Sequence, residues 1–258
     1  MPALNPATMS GMISVAFHTA IYNPLYNGLV FLVDALPSHD VGLAVIALTI
    51  VVRVILYPLS RRAVIAQEQM KKIAPLIEEL KEKYKNDREQ QGRAIFELYR
   101  EHDVHPFASF ALILVQLPIL FALYWVFALG GLPEVNISLL YSFVPQPTEV
   151  NMEFFGLINM GGRSLVLALL AAATQLAYTR LSMGAPKKHV PAKVPASGKQ
   201  SFGADMARSF DMQARYVMPI IIGVIAYTIP AAAPLYWVTS NTFMIIQEYL
   251  AGRRFRAT

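Results

Sequence analysis

The sequence predicts an all-α polytopic membrane protein: five transmembrane helices around a hydrophilic groove, with a cytosolic helical hairpin. Three observations predict it. First, 55% of the 258 residues are hydrophobic and only 15% are charged, against about 25% charged in a soluble domain, and mean hydropathy is +0.43. Second, five apolar stretches read as spans: Val41–Leu59, Phe107–Leu129, Leu165–Leu181, Tyr216–Ile229 and Leu235–Leu250, a crossing needing roughly 17 to 25 residues. Third, the cations are segregated along the chain. The composition excludes a disordered chain, which needs low hydrophobicity. The absence of Cys excludes a disulfide scaffold, a thiolate metal site, a Cys nucleophile and a lipoprotein anchor.

The elements follow in order. Residues 1–40 form an exoplasmic segment without a basic n-region or a small-residue cleavage pattern, so no signal peptide is expected. Within it, Ile21–Leu36 is apolar but short and contains Pro24, Gly28 and Asp34. An interfacial amphipathic helix is expected there rather than a sixth span, with Tyr22 and Tyr26 at the interface. Residues 41–60 are the first span. Residues 61–104 interleave acids and bases, and Met70, Ile73, Ile77, Leu80 and Tyr84 step by three and four, the spacing of a narrow helical seam. Lys85-Asn86-Asp87 interrupts it, and Asp87 is placed to cap a second helix carrying Ile95 and Leu98. Glu79 with Lys83 and Glu89 with Arg93 stand at i,i+4. An antiparallel helical hairpin follows, its alternatives being a passive spacer or a dimerising coiled coil. Residues 105–130 are the second span, 131–162 an exoplasmic loop, and 163–182 the third span. Residues 183–214 make a flexible basic loop rich in Pro, Ala, Gly and Lys. Residues 215–230 and 234–251 are the last two spans, separated by PAAAP, and 252–258 are a basic tail.

Charge sets the orientation. Of 22 Lys and Arg, ten lie between Arg61 and Arg100, seven between Arg180 and Arg215, and three at Arg253, Arg254 and Arg256. The first forty residues and the stretch 130–162 have none, the latter holding Glu134, Glu149 and Glu153. The positive-inside rule then puts the N-terminus outside and the C-terminus in the cytoplasm. The basic pI near 9.4 is topological rather than a sign of DNA binding. Lys187, Lys188, Lys193, Lys199, Arg253 and Arg254 suit ribosomal RNA or anionic lipid, the alternative being that they only set topology.

No catalytic site is legible. His18, His39, His102, His105 and His189 lie outside the spans, and no phosphate loop, G-x-S-x-G or H-E-x-x-H occurs. No enzyme activity, cofactor or metal is expected. The polar residues within the spans carry the functional reading. Arg53 lies 12 residues after Val41, roughly 18 Å into the first span. An arginine at a helix centre costs about 2.5 to 3.5 kcal/mol and normally faces protein or a watery cavity; snorkelling to the headgroups is the alternative. The only acid in a span is Glu248, at the cytoplasmic end, so no carboxylate matches Arg53 in depth. A cation without such a partner points to water and a transient anionic partner. Thr49 lies one turn from Arg53, and Gln116 precedes Pro118. Gln175, Tyr178, Thr179 and Ser182 form a stripe on the third span, and Trp237, Ser240, Asn241 and Gln247 another on the fifth. Such stripes serve either interhelical hydrogen bonding or a half-hydrated groove, and together with Arg53 they favour the groove.

These residues resemble a known family. LTIVVRVILYPLSRR, a charged hairpin containing APLIEELKEKYKND and LYREHDVHPF, then QLPILFALYWVF and MPIIIGVIAYTIPAAAPLYWVTSNTFMIIQEYL are similar, in order and spacing, to the YidC/Oxa1/Alb3 group of membrane-protein insertases. The resemblance implies five core helices around a groove open to cytosol and lipid and closed on the outer side. It implies an insertase and chaperone that works without nucleotide hydrolysis in the bacterial plasma membrane. Its partners would be nascent membrane proteins, ribosomes, lipids and, for some substrates, the Sec translocon. The family's groove residues fall on Arg53, Thr49 and Trp237. Its third-span glutamine falls on Tyr178, with Gln175 one turn away as the substitute. The large periplasmic domain and the lipoprotein cysteine of other members are absent, as in a short bacterial form. Two other classes compete: a small channel or transporter using the same stripes, which commonly shows an inverted repeat, and a membrane anchor for the hairpin, which leaves Arg53 unexplained.

Overall fold

A computed structural model describes residues 11, 14–104, 108–128, 131–183 and 212–250. Lys187, Lys188, Lys193, Lys199, Arg253 and Arg254 lie outside the described residues. Eight α-helices are described: α1 Asn23–Ala35, α2 Val41–Ile55, α3 Tyr57–Lys83, α4 Arg88–Glu101, α5 Ala108–Ala128, α6 Leu165–Met183, α7 Met218–Thr228 and α8 Ala232–Leu250. π-Helical turns at His18–Tyr22 and Gln213–Val217 lead into α1 and α7. The chain divides into two compact units, Met1–Arg53 with Phe121–Thr258, and Val54–Leu120.

In the first unit the stretch 131–162 is bonded to α1. The π-helical turn and α1 bury Tyr22, Tyr26, Leu29, Val30 and Val33, a stripe at helical spacing. The Tyr26 hydroxyl donates to Gly131 O (3.0 Å) and accepts from Asn136 N (2.8 Å). The Asn27 amide donates to Leu139 O (2.8 Å) and accepts from Tyr141 N (2.6 Å). Two side chains thus satisfy four backbone groups of a segment with little secondary structure of its own, as buried backbone requires. This corrects the expectation that Tyr22 and Tyr26 face a membrane interface: both are buried in protein. Burial raises the Tyr26 hydroxyl above its ordinary pKa.

Asp40 fixes the start of α2. Ser38 and His39 adopt left-handed backbone (φ 61° and 48°), and Asp40 Oδ1 then accepts from Gly42 N (2.7 Å) and Leu43 N (3.1 Å). Its second oxygen accepts from Phe155 N (3.0 Å). Two two-residue strands, β1 Glu153–Phe154 and β2 Ile158–Asn159, pair antiparallel. The all-α expectation omits this hairpin, which is too short for a period-2 pattern to show. A Cβ on Gly42 would lie 2.5 Å from Phe154 Cγ and 2.7 Å from its Cβ, so only glycine permits the ring to sit on α2. Further along, Met160 O and Gly162 O accept from Ala232 N (3.1 Å) and Ala231 N (2.7 Å), tying the segment to the turn between α7 and α8.

Small residues let α6 and α7 approach. Ala168 and Ala171 on α6 cluster with Ala226 on α7, and a Cβ on Gly223 would lie 3.1 Å from Ala172 Cβ. Close approach of small residues supplies the dispersion contact that holds helices together in lipid. α8 starts at Ala232, before the expected Leu235. Pro234 falls in its first turn, where the missing N–H has no intrahelical partner to lose.

Two findings bear on the expected spans. Val41–Leu59 is not one helix. It breaks at Leu56, because Pro58 lacks the N–H that would bond back to residue 54, and α3 carries the remainder into the hairpin. By length and composition, α6 alone passes as a membrane-crossing helix among the described residues, and Val41–Ile55 with Tyr57–Ala66 passes as a pair. α8 is equally long, but Ser240, Asn241, Gln247 and Glu248 lower its hydropathy.

In the second unit α3 and α4 form the hairpin. Ile73, Leu98 and Val104 are buried, with Met70, Ile77, Leu80 and Tyr99 packed against them. Asp87 Oδ1 accepts from Glu89 N (3.1 Å) and Gln90 N (3.0 Å), capping α4. Arg93 pairs with Glu89 at 2.6 Å. Lys83 forms no such pair with Glu79; its Nζ lies over the Tyr84 ring at 5.2 Å. Asp87→Ala should cost about 1 kcal/mol of hairpin stability, read as faster amide exchange in Arg88–Gln91. Unchanged exchange would show that the cap adds nothing.

Candidate functional site

Arg53 is the last residue but two of α2, and it is buried at 7% exposure. α2 carries it there because its apolar residues drive burial of Val41, Ala44, Val45, Leu48 and Thr49, and Arg53 lies on the face of Val45 and Thr49 at i+4 spacing. Its Nε donates to Ser240 Oγ on α8 at 2.6 Å, and its Nη2 donates to the same oxygen. Tyr178 of α6 and Tyr236 of α8 lie in the neighbourhood of the guanidinium. Three helices therefore converge on one cation. Ser240 offers a hydroxyl dipole rather than a charge, so the contact orients the guanidinium without neutralising it.

The other polar residues surround this contact unequally. Thr49 is buried, and its hydroxyl donates to Val45 O (2.6 Å) within its own helix. Thr174, Thr239 and Thr242 make the same back-bond, to Leu170, Leu235 and Val238. Asn241 reaches across to Thr174 Oγ1 at 3.4 Å, joining α8 to α6. Gln175 donates to Thr179 Oγ1 (3.4 Å) on its own helix. Trp237 packs against the Ala168, Ala171 and Ala226 cluster, between helices rather than on the cation. Gln116 is half-buried on α5, in the other unit.

Reading from sequence does not pair Arg53 with Ser240. It seeks a carboxylate at matching depth, and the partner is a hydroxyl 187 residues away. The available signal is that Ser240 and Asn241 are adjacent polar residues in an apolar run. Asp40 is missed too, although an Asp immediately before an apolar helix is a recognised start signal. Glu248 is buried at 1% exposure, Gln247 at 7% and Arg215 at 6%, a second group of buried polar side chains toward the C-terminal end of α8 and the start of α7. Among the described residues no cluster of His, Cys, Asp or Glu could hold a metal ion.

Comparison with known proteins identifies the lineage. The family model described as "60Kd inner membrane protein" matches residues 32–258. A protein of Fusobacterium nucleatum named Membrane protein insertase YidC is 33% identical over 236 residues, covering 91% of this chain and 98% of that relative. One of the same name from Lawsonia intracellularis is 30% identical over 96% of this chain but 42% of its own length. One from Oceanobacillus iheyensis is 29% identical over 85% and 77%. The chain thus spans nearly all of some relatives and less than half of others. On this match over most of its length, the chain belongs to the 60Kd inner membrane protein family, that of the YidC proteins.

Proposed function

We propose that the chain is an insertase of the bacterial inner membrane. The names of its relatives support that role, and the description of its family supports that location. In this reading it moves hydrophobic segments of nascent membrane proteins from the cytosol into the bilayer, and assists their folding, without nucleotide hydrolysis. The spans surround a hydrated groove, the N-terminus is outside and the C-terminus is cytoplasmic. Ribosomes, met by the basic loop and tail, and the Sec translocon are its proposed partners.

The observation that carries this reading is the buried Arg53, held by Ser240 among apolar helices. A cation kept at such a place costs stability, and intramembrane ionisable groups mark pathways for hydrophilic cargo. Water around the polar faces shortens the apolar distance a substrate's polar tail must cross. Entry of roughly 20 apolar residues of substrate into lipid then drives the step.

The test is a photoreactive residue at position 237, beside the convergence of α6, α7 and α8. Ribosome-stalled nascent chains bearing one span should crosslink to it, and soluble nascent chains should not. Equal crosslinking of both, or of neither, would favour a channel or transporter. Orientation is checked separately in this chain without native Cys. Lys71→Cys should label only after permeabilisation and Glu149→Cys in intact cells; the reverse pattern would invert the proposed topology.

A further inference from the structure

The hairpin of β1 and β2 ends in an apolar tip that the proposed insertion step does not use. Phe155 and Leu157 at this tip are 67% and 83% exposed. The turn itself is well bonded: Leu157 N donates to Phe154 O (3.0 Å) and Gly156 N to Glu153 O (3.1 Å). Phe155 and Gly156 both take left-handed backbone (φ 52° and 68°). Those are the signs of a type I′ turn, in which Asn-Gly is a preferred pair. Glycine suits its place, but a bulky aromatic at positive φ is an outlier that the surroundings must hold. Asp40 Oδ2 helps to hold it, accepting from Phe155 N at 3.0 Å. The Phe155 ring also packs against the Phe154 ring, centroids 4.5 Å apart. Asparagine would make the same turn with less strain, so turn geometry does not account for an exposed ring here.

The bonds of the hairpin set its depth. Asp40 also accepts from the first turn of α2. Just past β2, Met160 O and Gly162 O accept from Ala232 N and Ala231 N at the start of α8, and α6 begins at Leu165. Three apolar helices thus start within a few residues of the hairpin, at the level where a membrane-spanning bundle meets the headgroups. Leu165, Val166 and Leu169 on the first turns of α6 are exposed, so an apolar surface suited to lipid begins at that level. Charge favours lipid as the occupant. Arg163, exposed between β2 and α6, is the only Lys or Arg between Arg100 and Arg180. A guanidinium next to apolar side chains suits phosphate headgroups above acyl chains, and aromatic rings concentrate at this boundary.

We propose that the tip of this hairpin enters the lipid of the adjacent leaflet, exoplasmic in the proposed orientation. Phe155 and Leu157 meet the acyl chains and Arg163 meets headgroup phosphate. The proposal rests on the membrane placement above and not on insertase activity.

The experiment uses the full chain in liposomes of phosphatidylethanolamine and phosphatidylglycerol. The chain has no native Cys, so Leu157→Cys can carry a single environment-sensitive fluorophore. Glu149→Cys, exposed on the same segment, is the aqueous control, and Leu169→Cys, on the exposed side of α6, is the lipid control. The probe at 157 should emit to the blue of the probe at 149. Lipids with a nitroxide near the headgroup end of the acyl chain should quench it more than lipids labelled at the methyl end. Iodide supplied on both sides of the membrane should quench it several-fold less than the probe at 149. Phe155→Asn, added to Leu157→Cys, keeps the turn because Asn tolerates left-handed backbone, and should reduce the lipid quenching. Unchanged quenching in that variant overturns the role given to the ring. Equal iodide quenching at 157 and 149, with 169 quenched by lipid, overturns the proposal and leaves the membrane placement standing. Shielding at 157 that vanishes as the protein is diluted in lipid would put a second copy of the chain on the tip, and overturns it too. If lipid nitroxides fail to reach 169 as well, the membrane placement falls with the proposal.

Discussion

Arg53→Glu should abolish insertion of a single-span substrate with an acidic translocated tail, and Arg53→Ala should reduce it by about ten-fold or more. Two unit charges 4 Å apart interact by about 4 kcal/mol at an effective dielectric near 20 and by about 1 kcal/mol in water. In the proposed hydrated groove the interaction would lie toward the weaker end, and each 1.4 kcal/mol is about a factor of ten. The attraction has to stay modest, since a strong buried ion pair would hold the substrate rather than release it. Arg53→Lys keeps the charge but loses the planar fork that meets Ser240, and should retain activity within about three-fold. The variants also separate folding from function. Removing the guanidinium leaves the Ser240 hydroxyl free to bond back along α8, as Thr239 and Thr242 do on the same helix, so Arg53→Ala should remain folded. Ser240→Ala instead takes hydrogen bonds from a buried cation, which costs about 1 to 3 kcal/mol. If Arg53→Glu inserts as well as wild type, the cation has no part in the reaction.

Gly42→Ala should destabilise the protein by about 1 to 3 kcal/mol, the usual cost of overpacking a filled site. The added Cβ would overlap the Phe154 ring, and Phe154 is fixed through its pairing with Ile158. The strain falls where Asp40 already joins the start of α2 to Phe155 N, so the segment 151–162 should loosen with it. Phe154→Ala in the Gly42→Ala background should recover much of the loss, because it removes the clashing ring. Thermal unfolding of both variants in detergent checks this. A Gly42→Ala protein as stable as wild type would show that the two elements do not pack as described.

Much of the helical layout is legible in the sequence because apolar runs and a 3-and-4 seam are local signals. Asp87 shows it, since its capping role follows from its place between two periodic stretches. Pro58 and Pro234 are local too, yet they act in opposite ways. Pro58 breaks an apolar run that looks continuous, while Pro234 sits harmlessly in a first turn. The convergence on Arg53 is only half legible. Arg53 stands out because its cost in an apolar helix is large, but the identity of its partner depends on how α2, α6 and α8 pack. The stretch 131–162 is least legible. Its order comes from Tyr26, Asn27 and Asp40 bonding to its backbone, and side chain to backbone bonds over more than a hundred residues leave no periodicity to read.

The most direct measurement crosses Arg53 with the charge of the substrate. Insertion of one single-span protein is followed by protection of its translocated tail, with the tail acids either kept or replaced by neutral residues. Wild type and Arg53→Ala are compared at equal protein level in the membrane. The account predicts that Arg53→Ala loses insertion of the acidic tail by about ten-fold while inserting the neutral tail nearly as wild type does, the difference corresponding to about 1.4 kcal/mol. Equal insertion of both tails by both proteins would contradict capture by charge and leave the polar helix faces to act through hydration alone.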